Sequence, residues 1–443
     1  MKFSCILCLA VLCVAEAAAQ AANGNFRRVD LQTPGYLHTF AAADVNGDGA
    51  LDLLTVTGWG VGDGSSLLVF LNDGHGTFTW DTSTGNVGGS QMLTVELNGD
   101  RKVDVVTMDF GPSLSFVTNT GVGEFYSTDN YVVLPGDTAL RIVAADFNGD
   151  GKMDLIAATA LFGPPAGGRL TILTNSGTGF QFGAPVQVAQ TIVIDADLFG
   201  IVALDVNGDG KPDVVANSGT NTLSVFTNRG DATFALSSTL GIVSVAAAAD
   251  VNGDGKADLI SSDFSANMLT VLTNDGHGGF AHSSSIVANE PGDLIAADMN
   301  VDGKPDLISF SSSDNKLNVL TNDGSGGFIL TASLAGSAAE NYPIAADFDG
   351  DGVLDLLTEI PNTSTLILWL TTPGPFLTSR ATGNQFILSW PASATGFVLQ
   401  STPQLTPPVT WTDVTNAPVS NGERWTVTNS ISGGAKFYRL RKP

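Results

Sequence analysis

A chain of 443 residues with 51 glycines and only 14% charged residues is long enough for two or three domains with ample cores. Its net charge of −25 opposes nucleic acid and anionic membrane as partners. All three cysteines (Cys5, Cys8, Cys13) lie at the start, which leaves the rest without disulfides, thiol nucleophile or zinc–thiolate site.

Taken in chain order, residues 1–19 read as a signal peptide. Lys2 supplies positive charge, and an apolar run of about 13 residues follows, against roughly 20 needed to span a bilayer. The stretch "AEAAAQ" offers small residues for cleavage after Ala19. The expected location is therefore secreted or cell-surface, with no transmembrane segment in the mature chain. Beyond the signal no 3.6-residue apolar period is sustained, so no long helix is expected. Short Val/Leu/Thr runs between Gly/Asn/Asp clusters point instead to strands and an all-β chain.

Residues 22–33, "ANGNFRRVDLQT", begin a strand that has no unit in front of it. From residue 36 a pattern then repeats seven times, with acidic loops starting at Asp44, Glu96, Asp146, Asp205, Asp250, Asp298 and Asp347. The period is about 50 residues, the length scale of a repeat architecture. Each unit has an Ala-rich lead-in strand, a nine-residue acidic loop and a strand such as "DLLTV". A third strand ends in a turn such as "NDGHGTF", and the Phe after the turn opens a fourth. Asn and Gly suit such turns because they tolerate positive φ. Four antiparallel strands per unit, seven times over, give a seven-bladed β-propeller across residues 20–373. The seventh unit stops after "LILWLTTPGPF", so residues 22–33 are expected to supply its missing strand and close the ring.

The loops follow D-x-[ND]-x-D-G-x-x-D. Side-chain oxygens fall at positions one, three, five and nine, a sharp-turn Gly at six, and a main-chain carbonyl is offered at seven. This spacing is similar to the first half of an EF-hand loop, and calcium takes six to eight oxygen ligands. The candidate ligands are Asp44, Asn46, Asp48, Ala50 and Asp52 in loop one; Asp146, Asn148, Asp150, Lys152 and Asp154 in loop three; and Asp205, Asn207, Asp209, Lys211 and Asp213 in loop four. Loop five offers Asp250, Asn252, Asp254, Lys256 and Asp258; loop six Asp298, Asn300, Asp302, Lys304 and Asp306; loop seven Asp347, Asp349, Asp351, Val353 and Asp355. Loop two departs, with Glu96, Asn98, Asp100 and Asp104 but Arg101 in place of the Gly, followed by Lys102. Its metal binding is left open, so six Ca²⁺ sites are expected and a seventh is undecided. The loops hold 22 of the 44 acidic residues, so much of the acidity is accounted for by metal chemistry.

These loops, with the N-[DST]-G-x-G-x-F turns, resemble the FG-GAP/VCBS repeat family, the calcium-loop propeller repeats of integrin α-subunit heads, many bacterial surface proteins and a fungal lectin. The resemblance covers about residues 22–373. It implies the propeller and calcium and names no ligand.

In an up-and-down blade the acidic loop and the Asn-Asp-Gly turn share one face, and both repeat closely. The opposite face carries unlike loops, including 58–66, 110–113, 160–169 and 190–200. Trp59, Phe110, Phe162, Phe264 and Phe310 lie at the exits of second strands there. They are candidates to stack on a sugar or anchor a peptide, the alternative being packing between blades. His75 and His277 occupy equivalent turn positions and read as turn residues. No Ser/His/Asp spacing, phosphate loop or zinc cluster is visible. The leading functional reading is adhesion to, or recognition of, an extracellular glycan or protein. A polysaccharide-processing enzyme and a purely structural surface protein are the alternatives.

After a linker, "TTPGP", residues 374–443 change character: from 376 on there are six Lys/Arg against two acids. Alternating runs such as "NQFILSW" and "RWTVTNS" resemble a small fibronectin type III-like β-sandwich, with Trp390 in its core.

Overall fold

The computed structural model describes residues 15–16 and 26–441 apart from 59–64, 86, 90, 109–110, 137, 162–166, 178–179, 193–199, 220–221, 243–244, 336–342, 361–362, 372–376, 383–384, 392–395, 404–409, 421–423 and 431–435. The described residues form strands, turns and bends without a helix. The chain divides into two compact units, residues 1–371 and 372–443.

The first unit holds seven sheets among the described residues. Blade one is an antiparallel meander of Tyr36–Ala43, Asp52–Gly58, Ser66–Asn72 and Phe78–Gly85. Five further four-stranded sheets repeat it over 91–133, 138–192, 201–240, 245–287 and 291–335. The seventh takes Ile344–Ala346, Asp355–Ile360 and Thr365–Thr371 from the end of the unit. Its outer strand is Phe26–Gln32, in register from Phe26↔Thr371 to Gln32↔Thr365. The N-terminal segment thus completes the last blade, as its orphan Gly-x-Phe suggested, and leaves no long inner edge unpaired. Ala15–Glu16 add two pairings outside it. The rest of the segment read as a signal peptide lies outside the described residues.

Burial explains the run composition. Every residue of Asp52–Gly58 is buried, because a second strand is covered on both sides by neighbouring blades. The outer strand Phe78–Gly85 alternates toward solvent instead. Each core cluster joins two successive blades. Leu54, Val69, Val105 and Val117 belong to blades one and two, and Ile308, Phe310, Leu356 and Trp369 to blades six and seven. The cluster of Val29, Phe348 and Leu368 with Phe40, Leu53 and Phe70 joins blade seven to blade one. Apolar contact therefore runs around a closed cycle, and each fully buried Leu or Phe contributes roughly 1.5–3 kcal/mol.

Blade three departs from the expected plan. Its turn is one residue shorter, and Phe180 sits at φ 56° with its ring 5.6 Å from Phe116. The fourth strand starts only at Val186, after Pro185.

In the second unit, Thr378–Thr382, Gln385–Pro391, Arg424–Ser430 and Val419–Ser420 form one sheet in that order. Thr412–Asp413, Val398–Thr402 and Phe437–Arg441 form the other. Leu388, Trp390, Leu399 and Val427 are its buried centre, with Trp390 only 1% exposed.

Candidate metal loops and the opposite face

Each loop is folded by its own acids. In loop three, Asp146 Oδ1 accepts from the N–H groups of Gly149 (2.7 Å) and Asp150 (3.1 Å), and its Oδ2 accepts from Gly151 N–H (2.7 Å). Asn148 Oδ1 accepts from Asp150 N–H at 2.8 Å, and Asp150 Oδ1 from Lys152 N–H at 3.0 Å. Loops four and five repeat this set. The side chains at positions one, three and five thereby wind the loop through its own backbone N–H groups.

Such winding needs left-handed backbone. Position six is Gly at φ 81–91° in six loops, and Arg101 takes φ 67° in loop two. Position four is Gly in six loops, but loop six places Val301 there at φ 58°. A β-branched residue in that region is strained.

Position nine plays a further part. Its seven aspartates are all 0% exposed. Asp213 Oδ2 accepts from Val206 N–H at 3.0 Å and its Oδ1 from Asn228 N–H at 2.7 Å. The same two bonds recur in the other loops, with Thr371 replacing the Asn in blade seven. Each of these carboxylates ties its loop to the end of the third strand; in loop two Asp104 Oδ1 also accepts from Asn98 Nδ2 at 3.2 Å.

Burial raises these acids above the usual carboxylate range, and neighbouring acids add to it. Asp104 and Asp306 are pushed up to about 6, and Asp351 to about 6 and Asp355 to about 7. A divalent cation would reverse that cost by favouring the charged forms.

Two sets bring three carboxylates within 4.8 Å of one another among the described residues: Glu96, Asp100 and Asp104, and Asp347, Asp349 and Asp355. Asp349 Oδ1 is buried with no hydrogen-bond partner, an atom that a cation would satisfy. The donor set is all oxygen, which suits a hard divalent ion and not zinc or copper. The acidic loops could therefore hold metal ions.

Two roles escaped the sequence reading. The loop spacing assigns position seven only a carbonyl, yet where that residue is lysine its side chain is also engaged. Lys152 Nζ lies 3.5 Å from Asp150 Oδ2 and donates to Ser176 O at 2.6 Å. Lys211 and Lys256 also pair with their position-five aspartates, and Lys102 donates to Thr120 O. The Asn opening each turn is a turn former by sequence, yet in five blades it also clasps the preceding blade. Asn119 Nδ2 donates to Val45 O (2.9 Å), Asn175 to Leu97 O (2.8 Å), Asn228 to Phe147 O (2.8 Å) and Asn322 to Val251 O (2.9 Å). Asn72 closes the cycle on Phe348 O at 2.8 Å. The signal was present as an invariant Asn two residues before the first turn Gly, but only the ring shows its partner.

His75 and His277 sit in turns where their N–H groups donate to Asp73 and Asp275. On the opposite face, Phe264 lies in the turn after Asp258–Asp263 and is 53% exposed. Phe310 corrects the expectation: it is 5% exposed and packs with Met299, Leu317 and Trp369. It lies inside the strand Asp306–Ser311, both faces of which are covered, so it serves the blade interface and not the rim. Trp59, Phe110 and Phe162 lie outside the described residues.

Comparison with known proteins agrees with this geometry. The FG-GAP-like repeat model matches residues 96–157, 205–261, 250–309 and 298–358. No curated protein sequence matches the chain. The fold is similar to Saccharomyces cerevisiae Sqt1, at 10% identity and TM-score 0.53, over 79% of this chain and 100% of that one. It is also similar to BBS1N, solved in complex with ARL6DN, at 11% identity and TM-score 0.51, over 79% of this chain and 98% of that one. Fold and loops together define a β-propeller, with FG-GAP-like repeats matched over those four segments.

Proposed function

We propose that this is an exported, calcium-stabilised, seven-bladed propeller that binds an extracellular protein or glycan through the face opposite its acidic loops. One observation carries the reading. The position-nine carboxylate ties the acidic loop to the third strand in all seven blades, and in five of them the turn Asn also clasps the preceding blade, which makes that face scaffold. The other face differs from blade to blade and exposes Phe264, as a recognition surface on a rigid support would. The apolar run in residues 1–19 supports export. The propeller crystallised as BBS1N in complex with ARL6DN supports a protein partner for a fold of this kind.

Calcium is favoured over magnesium because each loop offers many protein oxygens, whereas magnesium keeps more of its water. Integrin-like calcium binding is the form of metal use that the loop pattern supports. In the second unit, two antiparallel sheets with Trp390 in the buried centre support the fibronectin type III-like β-sandwich assignment.

The test is capture on glycan and protein arrays by the full chain, with calcium and with chelator. Capture without turnover supports recognition, and released sugar supports an enzyme instead. A melting temperature unchanged by chelation removes the calcium part of the reading.

A further inference from the structure

The seven loops are not electrostatically equal. Loop one has three carboxylates and no base. Loops three to six have three carboxylates and a lysine at position seven. Loop two has three against Arg101 and Lys102. Loop seven alone has four carboxylates, Asp347, Asp349, Asp351 and Asp355, with Val353 where a lysine would stand. Affinity in such loops follows the charge count and rigidity of the ligands. Loop seven also holds the orphaned Asp349 Oδ1, at the position where the other six loops have asparagine.

Its location matters equally. Asp355 Oδ2 accepts from Phe348 N–H at 2.9 Å, and its Oδ1 accepts from Thr371 N–H at 2.7 Å. Thr371 is the residue that pairs with Phe26, where the N-terminal strand joins the last blade. On the other side, Phe348 O accepts from Asn72 of blade one. A cleft of about 480 Å³ lies there, lined by Asp48, Asn72, Asp73, Asp347 and Phe348 among others. Blade seven lacks the Asn clasp on its predecessor, since Thr371 Oγ1 donates to Leu354 O within the blade, and blade five lacks it too, since Asn274 Nδ2 bonds to Ala257 O. The strand that closes the ring is therefore received in a blade without that clasp, beside the loop of highest charge.

We propose that loop seven is the tightest cation site of the propeller, and that its cation latches ring closure by fixing the strand that receives the N-terminal strand. This rests on the calcium reading above. The experiment uses the full chain and calcium alone. Calorimetric titration of the unaltered protein is expected to show one site at least about tenfold tighter than the rest. Asp349→Asn, which gives loop seven the composition of its siblings, is expected to remove that class. Hydrogen exchange follows closure: the amides of Phe26–Gln32 and Thr365–Thr371 gain protection as the tight site fills, and in D349N only at roughly tenfold more calcium. Asn148→Asp provides the converse, adding a second tight site in loop three while the exchange of Phe26–Gln32 keeps its calcium dependence.

Absence of any calcium uptake sinks the calcium reading and this proposal with it. Uptake in one uniform class, or a tight class that survives D349N, overturns this proposal alone. A tight class lost in D349N with the exchange of Phe26–Gln32 unmoved overturns the latch.

Discussion

Replacing Asn228 with alanine removes a side chain that holds three backbone groups at once. Its Nδ2 donates to Phe147 O of the preceding blade at 2.8 Å and to Pro212 O of its own at 3.1 Å, while its Oδ1 accepts from Gly230 N–H at 2.9 Å. Phe147 O keeps one donor, Ala232 N–H at 3.1 Å, so it is weakened and not orphaned. Each lost bond costs about 1 kcal/mol net, and a buried group left unpaired costs about 1–3 kcal/mol. The expected loss is therefore about 2–4 kcal/mol. Asn274 is an internal comparison: its Nδ2 bonds only to Ala257 O, at 3.1 Å, within its own blade. Asn274→Ala is expected to cost about 1 kcal/mol less. Urea titration of both variants in calcium, read from midpoints at constant slope, measures the difference. A loss under about 0.5 kcal/mol for N228A, or equal losses for the two, would refute the inter-blade clasp as a source of stability.

Three more outcomes follow from the same geometry. Val301→Gly, which relieves a β-branched residue at φ 58°, is expected to stabilise the protein by about 1 kcal/mol after the entropic cost of glycine; an unchanged or lower melting temperature counts against strain at that position. Phe310→Ala is expected to cost about 3–5 kcal/mol as a core truncation, whereas Phe264→Ala, at an exposed turn, leaves the melting temperature within a degree or two. For pH, burial raises Asp355 to about 7 and Asp104, Asp306 and Asp351 to about 6, from 3.8. Because the folded values exceed the unfolded ones, their contribution is fully present below about pH 4 and is lost as pH rises through 6–7. The chelated protein is thus expected to melt lower at pH 7.5 than at pH 5, and calcium to reverse that order. A chelated melting temperature that rises with pH would contradict it.

The propeller was legible because its signals are local and repeated. The Ala-rich lead-ins, the "DLLTV"-type strands and the Asn-Gly turns each state a strand or a turn within ten residues, and seven copies remove the ambiguity of any one. The expected closure by residues 22–33 was legible for the same reason, since a fourth-strand signature stood without its blade. The acidic loops were legible because oxygen donors at a fixed spacing are chemistry written along the chain.

What sequence could not assign is what depends on distant partners. Phe310 and Phe264 occupy similar places after a second strand, yet one is enclosed by Trp369 of the next blade and the other faces solvent. The difference lies in how neighbouring sheets cover the position. The Asn of each turn reads as a turn former from either side of its own sequence. Its second role appears only when the carbonyl of a loop about 75 residues earlier, or in the case of Asn72 nearly 280 residues later, is brought within 3 Å. The buried position-nine aspartates are alike in this respect: their spacing marks them as ligands, and packing alone makes them ties between loop and strand. Sequence by itself determined the repeat, the strands and the acidic loops. Only the closed ring decided which side chains hold one blade to the next, because that depends on surfaces far apart in the chain that meet when the last blade takes its strand from the first residues.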